Sequence, residues 1–343
     1  MEKSKTKSIW ERTMQTAIIT GCTGQVGSYM CECLLVEGYK VYGIKRRSSS
    51  LNTGRIDHIF NDPNLKLIYG DITDYASISN IVAEIQPTLF INCGAQSHVR
   101  VSFDVPIYTM DATGTSVLNC LEAIRKHSPQ TRFLTMSSSE MFGGIKGTEP
   151  QNELTPFHPK SPYGVAKTMG YYATINYRES YNLFASNIIA FNNESPRRGE
   201  TFLTRKVTLA ATRIKLGLQD KLYLGNLDAQ RDWSHSLDIV DAIYKIILAP
   251  TPGDYVAASG ETHSVREFVE LVFSKLELDY QEYVEFDPIY LRSAEVDILL
   301  GDASKIKREL GWQPKYTFDQ LVEEMIASDM ELAKREKILR EHQ

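Results

Sequence analysis

A short apolar, β-branched run, Gln15-Thr16-Ala17-Ile18-Ile19-Thr20, leads directly into Gly21-Cys22-Thr23-Gly24-Gln25-Val26-Gly27 and then into an amphipathic segment through Glu37. Strand, glycine turn and helix in that order constrain the chain more than any other stretch. Glycines at 21, 24 and 27 let backbone approach a diphosphate closely, and the helix N-terminus adds N–H donors and a favourable dipole. The same turn can be a plain strand-to-helix connection without ligand, but the correctly placed strand and helix weigh against that reading.

The pattern then repeats. Lys40–Ile44 reads as a second strand ending in Lys45-Arg46-Arg47-Ser48, where an NAD site usually places an acid and arginine instead suits the 2′-phosphate of NADP. A solvated basic loop is the bland alternative. Leu65–Tyr69 is a third strand, followed by a Gly70-Asp71-Ile72 turn at the adenine edge and a helix through Ile85. Leu89–Asn92 is a fourth strand, followed by Gly94-Ala95-Gln96-Ser97, small residues that admit a cofactor. Tyr108 to His127 reads as one long helix and Arg132–Met136 as a fifth strand. Strands alternating with helices predict an α/β, doubly wound parallel sheet with its ligand crevice at the strand C-termini.

Beyond the fifth strand come Ser137-Ser138-Ser139-Glu140, and later Tyr163 and Lys167 at an i,i+4 helical step. A neighbouring ammonium favours the phenolate, so tyrosine and lysine form a proton-transfer pair. That pair has no need of a carboxyl, and Glu140 is the residue left to explain. A capped loop would account for the serines, a helix-start carboxylate for Glu140 and a surface position for Lys167; their joint spacing favours catalysis.

After Leu183–Ala190, a sixth strand, basic residues gather: Arg205, Lys206, Arg231 and Arg292 suggest a second anion site. The tail from Phe318 to Gln343 reads mostly as a solvated outer helix. The 343 residues suit one large or two interlocked domains, and a net charge of −5 gives no general attraction for nucleic acid or an anionic membrane. Five cysteines without finger spacing and seven dispersed histidines predict reduced thiols and no metal. With no apolar leader or span, a cytoplasmic protein is expected. The expected divisions are a disordered extension over 1–14, a cofactor domain over 15–191 and a mainly substrate-binding domain over 192–343 that returns some segments to the sheet.

Several strings carry a family resemblance: Arg46-Arg47-Ser48-Ser49-Ser50 with Asn52 to His58, Gly94 to Val99, Glu194 to Phe202, Leu224 to Ala229 with Arg231-Asp232-Trp233, and Gly260 to Phe268. On these the chain, from about Thr16 to about Pro314, resembles the extended short-chain dehydrogenase/reductase superfamily and, within it, the GDP-mannose 4,6-dehydratase family. The resemblance implies a Rossmann-type sheet with a smaller C-terminal α/β domain, and NADP held by Gly21, Cys22, Thr23, Gly24, Gln25, Val26, Gly27, Arg46, Arg47, Ser48, Asp71, Ile72, Gly94, Ala95, Gln96, Ser97, Tyr108, Tyr163, Lys167, Asn193 and Arg198. It implies a GDP-sugar bound by Ser97, Asn192, Lys206, Arg231, Arg292 and Glu295, catalysis by Ser138, Ser139, Glu140, Tyr163 and Lys167, and a homotetramer built through the Arg46–Asp57 loop. The family pattern has Thr at Ser138, Asp at Val26 and His at Asn193. The implied reaction oxidises carbon 4 of the sugar, eliminates water across carbons 5 and 6, and returns hydride to carbon 6. Alternatives are the same chemistry on a GDP-manno-heptose, a 4-keto-sugar reductase or epimerase, and a catalytically silent NADP-binding scaffold.

Overall fold

The computed structural model describes residues 14–291 and 295–342. Arg292 and all but the last residue of the predicted extension lie outside the described residues.

The frame is a seven-stranded, wholly parallel sheet. Its strands are β1 (Thr16–Thr20), β2 (Lys40–Lys45), β3 (Leu65–Tyr69), β4 (Leu89–Asn92), β5 (Arg132–Ser138), β6 (Ala185–Ala190) and β7 (Asp254–Ala257). They lie in the order β3-β2-β1-β4-β5-β6-β7. The order reverses between β1 and β4, so both crossovers leave from that gap and a crevice opens at the strand C-termini. Both faces are buried. Ala17 and Ile19 of β1 enter one core and Ile18 the other, as strand alternation requires.

Helices α1 (Gln25–Val36), α2 (Tyr75–Ile85), α3 (Ser116–His127) and α4 (Pro162–Tyr181) follow the first strands. The predicted helix from Tyr108 is interrupted: a turn at Pro106–Thr109 passes into a π-helical segment, Met110–Thr115, before α3. The π segment turns Thr113 toward the loop after β4, where its Oγ1 accepts from Gln96 N and donates to Gln96 O, both at 3.1 Å. Gly114 meets α4 closely, since a Cβ there would lie 3.1 Å from Ala166 O.

The second half builds its own core from α5 (Leu203–Lys215), α7 (Val265–Lys275) and α8 (Phe318–Glu341), packed around Trp233, Phe268 and the strand Leu222–Leu224. Between them, α6 (Ser236–Ile247) and β7 return to the large sheet, and Trp312 docks there with Nε1 donating to Asp238 O at 2.9 Å.

Helix α8 differs from the solvated helix expected. Leu321, Val322, Met325, Ile326, Asp329 and Ala333 are buried, and only the C-terminal half is largely exposed. A capping box at Thr317 and Gln320 starts it. Arg205 also departs from expectation. It sits buried on α5 and donates to Asp329 Oδ1 at 2.6 Å and to the carbonyls of Pro196 and Arg198, so it holds structure and does not line the large cavity. Asp329→Ala leaves that guanidinium unpaired in the core. Chemical denaturation should record a loss of about 3–5 kcal/mol, whereas Glu331→Ala, on the exposed face of the same helix, should leave the midpoint unchanged.

Candidate active site

β5 runs past its predicted end to Ser138, so Ser137 and Ser138 close the strand and a single turn, Ser139–Met141, follows. Ser138 caps that turn, its Oγ accepting from Glu140 N at 3.2 Å. Ser161 caps α4 by accepting from Gly164 N at 3.0 Å, and a Cβ on Gly164 would lie 2.9 Å from Glu140 O. The start of α4 therefore abuts the turn, and Tyr163 and Glu140 face each other. Ser138, Ser139, Glu140, Tyr163 and Lys167 are each at most 9% exposed and line one cavity of about 880 Å³.

Burial dominates the electrostatics here. It pushes the Tyr163 phenol up to about 12, with Ser138 hydrogen-bonding it and Arg198 pulling it down while Glu140 pushes it up. Burial also brings the Lys167 ammonium down to about 8. Lys167 Nζ donates to Met136 O at 2.5 Å and lies 5.7 Å from the centre of the Tyr163 ring. The pair shares a cavity, and in the protein alone burial holds the phenol above its ordinary value.

The same cavity runs to the glycine turn. Gly21, Thr23, Gly24, Gln25, Val26 and Gly27 line it, as do Arg46, Asp71, Ile72, Gly94, Ala95, Ser97, Tyr108, Asn193 and Arg198. Arg46 Nη1 donates to Tyr108 Oη at 2.6 Å at the end of β2. Cys22, Arg47, Ser48 and Gln96 do not line it. The Cys22 thiol is buried against Ile44 O, Gln96 spends its side chain bracing the loop through Thr109 Oγ1 and His98, and Arg47 and Ser48 point into an exposed loop. At the other end Asn192, Lys206, Arg231 and Glu295 line the wall, with Lys206 Nζ 3.3 Å above the Tyr290 ring. Lining residues that sequence reasoning missed include Arg100, Phe202 and Tyr290. Phe202 was legible as an aromatic four residues after Arg198, whose guanidinium stacks 3.8 Å above its ring; Arg100 and Tyr290 carry no comparable local signal.

The model for GDP-mannose 4,6 dehydratase matches residues 18–325. The chain belongs to that family. It is 50% identical to GDP-mannose 4,6 dehydratase 2 of Arabidopsis thaliana, covering 94% of this chain and 89% of that one. It is 46% identical to the Vibrio cholerae GDP-mannose 4,6-dehydratase (96% and 97% covered) and 46% identical to the human one (92% and 91%). A dTDP-glucose 4,6-dehydratase from Bacillus anthracis, solved with NAD, superimposes with a TM-score of 0.82 at 23% identity, covering 93% of this chain and 98% of that one. At that identity the likeness shows the fold alone.

The Asn193 side chain is engaged by protein through both amide atoms. Oδ1 accepts from Gln25 Nε2 at 3.1 Å and from Ser236 Oγ at 3.3 Å, and Nδ2 donates to Phe191 O at 3.3 Å.

Lys167 releases its proton near pH 8 when folded and near its ordinary value of 10.5 when unfolded. In that window the unfolded chain holds more protons, so stability rises with pH; below it the buried charge is a constant cost. Lys167→Met removes the titration. The melting temperature of the wild type relative to Lys167→Met should increase by about 2–4 °C between about pH 7 and about pH 9.5. A gap independent of pH would contradict the buried ammonium.

Proposed function

We propose that the chain dehydrates GDP-mannose to GDP-4-keto-6-deoxymannose. The observation that carries this reading is the buried carboxyl of Glu140 beside Tyr163 in one cavity, a third proton-transfer group that simple oxidation or reduction of an alcohol does not require. The glycine cradle and the arginine at the end of β2 suit a dinucleotide carrying a 2′-phosphate, which supports NADP. That cofactor, when bound, supplies an acceptor for hydride from carbon 4 and a donor to carbon 6.

Tyr163 takes the proton of the 4-hydroxyl, with Ser138 hydrogen-bonded to it and Lys167 holding positive charge nearby. The ketone at carbon 4 acidifies the proton on carbon 5. Glu140 removes that proton and delivers one to the departing 6-hydroxyl, so water leaves and a 5,6-alkene conjugated to the ketone results. After reduction at carbon 6 a proton returns to carbon 5, and the redox balance closes within one turnover. Ser138 and Ser139 are placed to hydrogen-bond the carbonyl oxygen as charge develops on it, worth about 3 kcal/mol for comparable donors. Asn192, Lys206, Arg231 and Glu295 form the GDP end on this reading.

The exposed stretch from Arg47 to Leu51 does not line the chain's own cavity, and Leu51 is 94% exposed, which supports a tetramer in which this loop reaches a neighbouring subunit. No helix among the described residues is long and apolar enough to cross a membrane, and the cysteines are free, which suits a reducing cytoplasm. Ser138 lacks the methyl group of the family's threonine, which favours GDP-manno-heptose as a second substrate to compare.

With GDP-mannose deuterated at carbon 4, the product should be lighter by one water and carry deuterium on the new methyl group, without added reductant. Glu140→Gln and Tyr163→Phe should each lower kcat by about 10²–10⁴-fold. Full turnover in Glu140→Gln with loss in Tyr163→Phe would indicate a reductase or epimerase, and faster dehydration of the heptose would move the substrate assignment. Arg46→Ala should reduce the preference for NADP over NAD by about tenfold or more in calorimetric titrations.

A further inference from the structure

Gln25, Ser28, Tyr29 and Glu32 occupy one face of α1 at the i, i+3, i+4, i+7 spacing. The segment Asn193–Arg197 is strapped along that face. Gln25 Nε2 donates to Asn193 O at 2.9 Å and to Asn193 Oδ1 at 3.1 Å, while its Oε1 accepts from Ser195 Oγ at 2.9 Å. Arg197 continues the strap: Nη1 donates to Ser28 Oγ at 3.1 Å, pairs with Glu32 at 2.5 Å, and the guanidinium stacks 3.9 Å above the Tyr29 ring. Arg55 ties the glycine turn to the same segment, with Nε donating to Arg197 O at 2.7 Å and Nη1 to Thr23 O at 3.3 Å.

The strap's position gives it a consequence. Asn192 before it and Arg198 after it line the same cavity as the glycine turn, to which Gln25 belongs. A dinucleotide held at once by the turn and by the residues flanking the strap is released when the two separate. Asn193 spends its amide oxygen on Gln25 and Ser236 and one of its two N–H donors on Phe191 O.

We propose that Gln25 and Ser195 are positioning residues, a latch whose hydrogen bond holds the strap bearing Asn192 and Arg198 against the cofactor turn and slows release of the bound nucleotide. The inference rests on the nicotinamide-dinucleotide reading of the cavity. Because the same bond is made in the ligand-free chain, its loss lowers the barrier to parting in both directions, so release and entry quicken together and the dissociation constant changes little.

The test is NADPH release from the purified full chain, followed by nucleotide fluorescence after displacement with excess NADP. Gln25→Met and Ser195→Ala should each accelerate release and association alike, about fivefold to tenfold, with the dissociation constant within about twofold of wild type. The double variant should release no faster than about tenfold, because both substitutions break the same bond. In the ligand-free single variants, backbone amides of residues 194–199 should exchange with deuterium faster than in wild type. Unchanged release in both variants overturns the latch, as do accelerations that multiply in the double variant or that are confined to release or to association alone. Wild-type protein that binds no NADPH overturns the dinucleotide reading instead, and with it the retention role; amide exchange in the variants then still decides whether the hydrogen bond holds the strap.

Discussion

Gly27 approaches the carbonyl of Gly21 so closely that a Cβ would lie 2.2 Å from that oxygen, and the site hangs on this contact. Gly21 itself holds φ at +64° with the backbone of Cys93 and Gly94 at 3.0 Å from where its Cβ would be. The end of β1, the start of α1 and the end of β4 thus meet backbone to backbone at the gap where the sheet order reverses. Side chains then carry position outward from the gap. Thr20 Oγ1 donates to Asn92 Oδ1 at 2.6 Å and accepts from Gly94 N at 3.0 Å, and Asn92 Nδ2 donates to Thr135 Oγ1 at 3.1 Å. These buried bonds lace β1, β4 and β5 together at their C-terminal ends, where an unpaired polar group would be costly. The serines at the end of β5 are therefore placed relative to the glycine turn by a continuous polar chain.

A second close approach completes the arrangement. Gly164 lets α4 begin against the carbonyl of Glu140, which sets the phenol and the carboxyl on the same cavity wall although they lie on separate elements. A larger residue there would separate the groups whose adjacency distinguishes elimination from simple hydride exchange. The Ser137 hydroxyl donates to Asn187 Oδ1 at 3.2 Å, and of the serine run Ser138 is the one that acts to lower the phenol.

The first six strands and the Tyr163–Lys167 spacing were legible because each rests on local pattern: β-branched runs, glycine turns, and an i,i+4 step on a helix. What was not legible depends on partners distant in sequence. β7 is only four residues long and exists as a strand through its register with β6, Asp254 opposite Asn187. The π-helical segment before α3 has no periodic signature separating it from an ordinary helix, and its departure is tied to the Gln96 loop and the close passage of α4. Arg205 and Asp329 each look like surface charges in sequence, being set in polar surroundings. They become a buried pair only when α8 folds over α5. The strap along α1 was hidden for the same reason, since Gln25 and Ser195 are far apart in the chain and the glycine turn assigns Gln25 to a cofactor rather than to a protein partner.

The charge balance around Tyr163 links structure to reaction order. Burial holds the phenol near 12 and the neighbouring ammonium near 8, so in the protein alone the tyrosine keeps its proton throughout the neutral range. Glu140 and Arg198 act on it with opposite signs, which leaves desolvation as the deciding influence. Desolvation penalises whichever group becomes charged without a partner, and a positive charge entering the cavity supplies that partner for a phenolate. It also opposes protonation of Lys167. On the reading proposed above, a cation bound beside Tyr163 would supply the partner that burial withholds, and proton abstraction at carbon 4 would be tied to the presence of an acceptor for the hydride.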